Sequence, residues 1–225
     1  MITPKEYGIA NNISTYVARK IFIKNGWPLP GKGGQNAKIK HNPFEIESEH
    51  QQYFLGLLAA DGYIGNKVIK LKLKDKELVE AYAKFLGDET LLREEQSPTG
   101  VMYRVNFCNR PSIEYLNNLG LIPKKSLVLE YKGELTNHFI RGVFDGDGCV
   151  SKNREVKITS GSTAFVSQLY ELFTSLNLDF AVHKKGKCFD VKIKAKSRKA
   201  FFDFLYSDAT IFLERKYNLY CGLIE

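Results

Sequence analysis

Long apolar runs are missing from this 225-residue chain. None approaches the roughly 18 residues needed to cross a bilayer, which excludes a membrane-spanning helix. The N-terminus places Pro4, Lys5 and Glu6 where a signal peptide carries its apolar stretch, so secretion is not expected. Cysteine and histidine are scarce and scattered. Cys108, Cys149, Cys188 and Cys221 form no CxxC pair, and with His41, His50, His138 and His183 they show no zinc-site spacing. Reduced thiols in a cytosol-like or organelle-matrix compartment follow. Ser162, Ser167 and the histidines make no nucleophile–base pattern, which leaves covalent catalysis without support. Acids are outnumbered, 25 Asp+Glu against 33 Lys+Arg, for a net charge of +8. With 44% hydrophobic and 26% charged residues, the composition is that of an ordinary globular protein. Phe173, Phe201, Phe202 and Phe204 fall at helical core spacing and read as packing, not as base-stacking platforms.

The positive charge is unevenly spread. Up to Phe44 there are seven basic residues and one acid, or +6, leaving +2 for the rest. Such a segment suits a polyanion. Thr3-Pro4-Lys5-Glu6 is a capping box with Pro at the first helical position, and Ser14 can cap a second helix ending near Asn25-Gly26. Two short helices around Asn11-Asn12-Ile13 suggest either a helix-turn-helix with Arg19, Lys20 and Lys24 on DNA, or a helical hairpin whose lysines are merely solvated. Pro28-Leu29-Pro30-Gly31-Lys32-Gly33-Gly34 breaks regular structure, so 1–27 is expected as a helical extension and 28–44 as a basic linker.

Beyond the linker the chain repeats itself. Tyr53-Phe54-Leu55-Gly56-Leu57-Leu58-Ala59-Ala60-Asp61-Gly62 is echoed by Phe139-Ile140-Arg141-Gly142-Val143-Phe144-Asp145-Gly146-Asp147-Gly148. Downstream, strand-like alternation at 68–74 and 102–108 and helical spacing at 77–86 and 112–119 are matched at 155–159, 188–195, 163–176 and 198–206. Hairpin turns fit Ser97-Pro98-Thr99-Gly100 and Lys185-Gly186-Lys187. The expected fold is α+β: two pseudo-symmetric αββαββα halves, 45–134 and 135–225, each an antiparallel sheet with helices on one face.

Gly inside a helix costs about 1 kcal/mol relative to Ala. Gly56 and Gly142 accept this at the same offset, which calls for two helices crossing backbone to backbone. If they pack in parallel, Asp61 and Asp147 meet at the partly negative helix ends, where like charges repel unless a cation sits between them. A hard divalent ion such as Mg²⁺ resolves the conflict, and with a phosphate-rich partner this spells phosphodiester hydrolysis. Read singly, each Asp could be an ordinary turn residue; the repetition argues against it.

Both segments resemble the LAGLIDADG motif of homing endonucleases, and two copies resemble the monomeric members. The resemblance covers roughly 45–225. It implies a sequence-specific double-strand DNA endonuclease using Mg²⁺, with Mn²⁺ as substitute, held by Asp61 and Asp147 and the carbonyls of Ala60 and Gly146. It also implies minor-groove cleavage with short 3′ overhangs, and a role in copying an intron or free-standing gene into a new target. Ala59 departs from the motif where Asp145 keeps it. Lys125 and Lys216 stand where the family places basic residues around the metals. Lys74 and Thr159 are candidates for ordering water. An RNA-splicing maturase binding intron RNA, or a non-cleaving DNA-binding regulator, are the alternatives; termini without splicing-type residues speak against an intein.

Alternation also predicts polar faces on the sheets. Lys70, Lys72 and Lys74, Arg104 and Asn106, Lys157 and Thr159, and Lys192, Lys194 and Lys196 all point away from the apolar positions. With few acids expected among them, these faces form a basic saddle for double-stranded DNA with a long asymmetric site. The lysines would sit on phosphate, and Arg104 and Asn106 on base edges.

Overall fold

The computed structural model describes residues 4–27, 39, 41–98, 100–151 and 153–224, and the chain divides into Met1–Asn36 and Ala37–Glu225. In the first unit, Pro4 opens α1 (Pro4–Ala10); Thr3, the expected cap, lies outside the described residues. A turn through Asn12, with φ of 51°, leads to Ser14, whose Oγ accepts from the Val17 amide at 3.3 Å. That bond starts α2 (Thr15–Lys24). Gly8 allows the two helices to close, since a Cβ there would stand 2.9 Å from the Ile13 carbonyl oxygen and 3.6 Å from Ala18 Cβ. Tyr7, Phe22 and Trp27 meet edge-on at centroid distances of 5.5, 5.7 and 5.1 Å, a small aromatic core of the unit's own.

The predicted linker lies largely outside the described residues, and its far end is not a linker at all. Phe44 is fully buried, its amide donates to Asn42 Oδ1, and Asn42 is tied in turn to Ser112. Asn109 Nδ2 donates to the carbonyls of Ile39 and His41. The sequence signal for a break, Pro28 to Gly34, stops short of these buried contacts.

The large unit runs α3 (Glu49–Ala60), β1 (Tyr63–Ile64), β2 (Ile69–Leu73), α4 (Lys76–Phe85), β3 (Leu92–Ser97), β4 (Gly100–Phe107) and α5 (Arg110–Asn118). The same order returns as α6 (Asn137–Asp147), β5 (Gly148–Val150), β6 (Val156–Ser160), α7 (Thr163–Ser175), β7 (Phe180–Lys185), β8 (Cys188–Ile193) and α8 (Arg198–Tyr206), with α9 (Glu214–Ile224) at the end. Two antiparallel four-stranded sheets result, ordered β1-β2-β4-β3 and β5-β6-β8-β7. Registers correspond: Ile69 pairs with Phe107 and Leu71 with Val105, as Val156 pairs with Ile193 and Ile158 with Val191. All eight side chains are buried, so each sheet turns one apolar face to its helices.

Candidate metal and nucleic-acid site

α3 starts where Ser48 Oγ accepts from the Gln51 amide at 3.1 Å, and α6 where Thr136 Oγ1 accepts from the Phe139 amide at 3.1 Å. Between these caps and their far ends the two helices run at near-backbone contact. A Cβ at Gly56 would fall 1.9 Å from the Phe139 carbonyl oxygen, and one at Gly142 would fall 2.0 Å from that of Tyr53. Reciprocal contact at the same offset makes the seam two-fold and parallel, and brings the C-terminal tips together. At the tips, a Cβ on Gly146 would stand 2.3 Å from Ala60 Cβ and 3.2 Å from Asp61 Oδ2.

Asp61 caps α3 and Asp147 closes α6. Both side chains reach solvent on one side. Protein on the other sides strips hydration from Asp147, and the charge of Asp61 adds to this, pushing its pKa up to about 6. Asp61 is raised by the same desolvation, against the pull of Lys216 and Lys125. Behind each acid lies a buried ammonium. Lys125 Nζ donates to the carbonyls of Gly62 at 2.7 Å and Ala60 at 3.4 Å. Lys216 Nζ donates to those of Phe144, Asp145 and Gly148 at 2.6, 2.8 and 2.6 Å, with Gly146 at 3.5 Å. Each lysine thus satisfies the orphan carbonyls of one helix end and opposes its negative dipole. Burial lowers both lysine pKa values, that of Lys216 to about 8. Lys216 lies on α9, whereas Lys125 opens a short 3₁₀ turn after Lys124, which is left-handed with φ of 62°.

The donor set suits a hard cation. Two carboxylates stand at the adjoining helix tips, each directly following a backbone carbonyl, that of Ala60 or of Gly146. Among the described residues no group of three or more His, Cys, Asp or Glu forms a closed cage. Mg²⁺ accepts few protein ligands and keeps water or phosphate for the rest. A cavity of about 230 Å³ opens beside Asp147, walled by Ala60, Ser126, Thr159, Gly161 and Cys188.

Three cross-links that sequence reading did not find hold this arrangement. Asp145 is turned inward, where its Oδ2 accepts from Tyr53 Oη and from the Leu213 amide, both at 2.8 Å. It thereby ties α6 to α3 and to the start of α9. Arg141, with no exposed side-chain surface, donates to the carbonyls of Ile211 and Leu205 and to Glu49 on α3. Arg215 binds Asp75 through two hydrogen bonds, of 2.9 and 3.2 Å.

Residues 134–205 match the family model of the LAGLIDADG-like domain. Most of the chain has the fold of solved homing endonucleases. I-WcaI bound to its DNA recognition sequence superposes with a TM-score of 0.57 at 20% identity, over 84% of this chain and 95% of that one. I-DmoI in complex with DNA and Mn gives 0.51 at 17% identity, over 72% and 98%. I-LtrWI bound to target DNA gives 0.56 at 15% identity, over 78% and 90%. Among curated proteins, the RNA polymerase subunit Rpo1C of Methanocaldococcus jannaschii is 25% identical over 187 residues, 79% of this chain. The chain spans 21% of the length of that relative.

The outward sheet faces carry more acid than alternation led us to expect. On the first sheet, Glu95 reaches Lys72 at 3.3 Å and Arg104 at 3.0 Å, while Lys70 lies 5.1 Å from the Tyr63 ring centroid. Asn106 pairs with Lys70 across β2 and β4, and Lys74 is exposed just past the end of β2. On the second sheet, buried Asp190 accepts from Lys157 Nζ at 2.6 Å and Thr159 Oγ1 at 2.7 Å. Lys192 is paired with Glu155 at 2.5 Å. Lys194 and Lys196 are off the face altogether. β8 ends at Ile193, a 3₁₀ turn follows, and both ammoniums bind Asp179 at 2.8 and 2.9 Å. Asp190 shares the parity of Lys192, so the signal was present; Glu95 sits in Leu92–Ser97, whose sparse apolar residues hide a strand. Arg19, Lys20 and Lys24 are exposed on α2 in the N-terminal unit.

Proposed function

We propose that this chain is a divalent-metal-dependent, site-specific endonuclease of double-stranded DNA. The observation that carries the reading is the pair Asp61 and Asp147, brought together by the Gly56–Gly142 seam with a buried lysine behind each. Two like charges held at the ends of two helix dipoles are unfavourable in an inert fold, and they are what a cation site needs. Asp61 and Asp147 would hold Mg²⁺, or Mn²⁺ in its place, with the Ala60 and Gly146 carbonyls beside them. When bound, the ion supplies Lewis-acid activation of the scissile phosphate and lowers the pKa of a water.

The remaining work falls to the chain. Lys125 and Lys216 fix the helix tips and hold positive charge under the site, favouring the negative charge that builds on phosphate during attack. Thr159, on the cavity beside Asp147, is placed to order water. Lys70, Lys72 and Lys74 on one side and Lys157 and Lys192 on the other would track phosphates, with Arg104 and Asn106 near base edges. Because the two faces differ at matching rungs, Lys72 with Arg104 against Thr159 with Asp190, a two-fold symmetric target would fit poorly. The site is therefore long and asymmetric, and one copy of the chain supplies both halves.

The test is cleavage of a plasmid carrying the genomic junction beside the coding sequence, with Mg²⁺. Linear product is expected from the wild type. Asp61→Asn and Asp147→Asn should each lose more than about a hundredfold in rate while still binding the junction. Binding of the junction without any cut by the wild type would favour a regulator, and binding of intron RNA without a cut would favour a maturase.

A further inference from the structure

We propose that the N-terminal unit is a second duplex-reading module, in which α2 enters a major groove next to the nuclease site and contacts bases through Tyr16, Arg19, Lys20 and Ile23. This rests on the nuclease reading only for the identity of the neighbouring site. The unit is built for presentation. Its own core is made from Tyr7, Phe22 and Trp27, and Ala18 and Phe22 are the residues of α2 that are buried. The opposite face of α2 is left to solvent, with Tyr16 69% and Ile23 62% exposed. Lys20 Nζ lies 4.7 Å from the Tyr16 ring centroid, so charge and aromatic surface are arranged together. An apolar face this open on a ten-residue helix has to be explained by an occupant.

Charge selects the occupant. The sequence of α2, TYVARKIFIK, holds three cations and no acid. An acidic protein surface would answer the charge but gives no reason for a tight two-helix corner. In that corner Gly8 lies against Ile13 and Ala18, and a four-residue turn ends in the Ser14 cap. Such a corner sets one helix across the backbone and projects the next into the groove. The helix diameter of roughly 10–12 Å matches a major groove about 12 Å wide. Arg19 and Lys20 are suited to guanine edges and phosphate, and Tyr16 and Ile23 to thymine methyls.

Selection of bound duplexes from a randomised pool tests this, with the full chain, Arg19→Ala/Lys20→Ala and Tyr16→Ala/Ile23→Ala. Trp27 is the single tryptophan of the chain, so its emission reports whether the unit stays folded in each variant. The wild type should enrich a long motif plus a separate element of about 3–5 base pairs. In both variants the element should vanish while the long motif persists, and affinity for the composite site should fall about ten- to a hundredfold. An element enriched without the long motif would uphold this proposal and sink the nuclease reading. A long motif alone, recovered equally by all three proteins, would overturn it. Enrichment of the element from single-stranded RNA but not from duplex would overturn it as well.

Discussion

Asp61 and Asp147 hold their charge against the protein around them, and that has a measurable sign. The Asp147 pKa stands at about 6, above the 3.8 of an ordinary Asp. A raised carboxylate favours the fold fully below pH 3.8, and that contribution is lost as pH rises to about 6. At pH 7.5 without metal, ionised Asp147 is therefore a burden. Asp147→Asn should raise the melting temperature by about 2–4 °C, on the order of 1 kcal/mol once solvent screening is allowed for. The gain should disappear below about pH 4, where the wild-type acid is protonated in both states. It should also disappear with saturating Mg²⁺, because the ion stabilises only the wild type. Scanning calorimetry across pH, with and without Mg²⁺, reads all three conditions.

The seam between α3 and α6 is the element on which the site depends, and its glycines make the claim sharp. Gly56→Ala and Gly142→Ala would each drive a methyl into a carbonyl oxygen at about 2 Å. A backbone atom in a helix cannot swing aside. Each substitution should destabilise by more than about 3 kcal/mol or prevent folding. Gly222→Ala is the control, a helical glycine with nothing within 4 Å, and should stabilise by about 0.5–1 kcal/mol. Chemical denaturation of the three variants decides it. This seam was legible in the sequence because a repeated Gly-to-Asp spacing has few other causes. The order of strands and helices was legible as well, because alternation and helical spacing are local rules. Arg141 with Glu49, and Asp145 with Tyr53 and Leu213, were not: they join residues far apart in sequence, and no spacing announces such partners.

The molecule as a whole is basic, yet its outward sheet faces are partly neutralised. Period-two alternation placed Lys72 and Arg104 correctly on one face. It said nothing of Glu95, which comes from a neighbouring strand without an apolar rhythm. On the proposed reading, such acids would keep the face from gripping any duplex indiscriminately, and would be displaced or re-paired on the right one. Glu95→Gln should therefore tighten binding to random duplex several-fold at moderate salt. It should also steepen the dependence of log affinity on log salt by about one, because one more phosphate can be neutralised. Fluorescence anisotropy over a salt series measures both. An unchanged slope would mean that Lys72 and Arg104 stay away from phosphate.

The most direct test of the paired acids is anomalous scattering from crystals of the chain, grown with a duplex recovered by selection and soaked in Mn²⁺. Peaks in contact with both Asp61 and Asp147, and lost in Asp61→Asn, are the predicted result. A Mn²⁺ ion that touches neither carboxylate, or one that stays in place when Asp61 is replaced, would contradict the account.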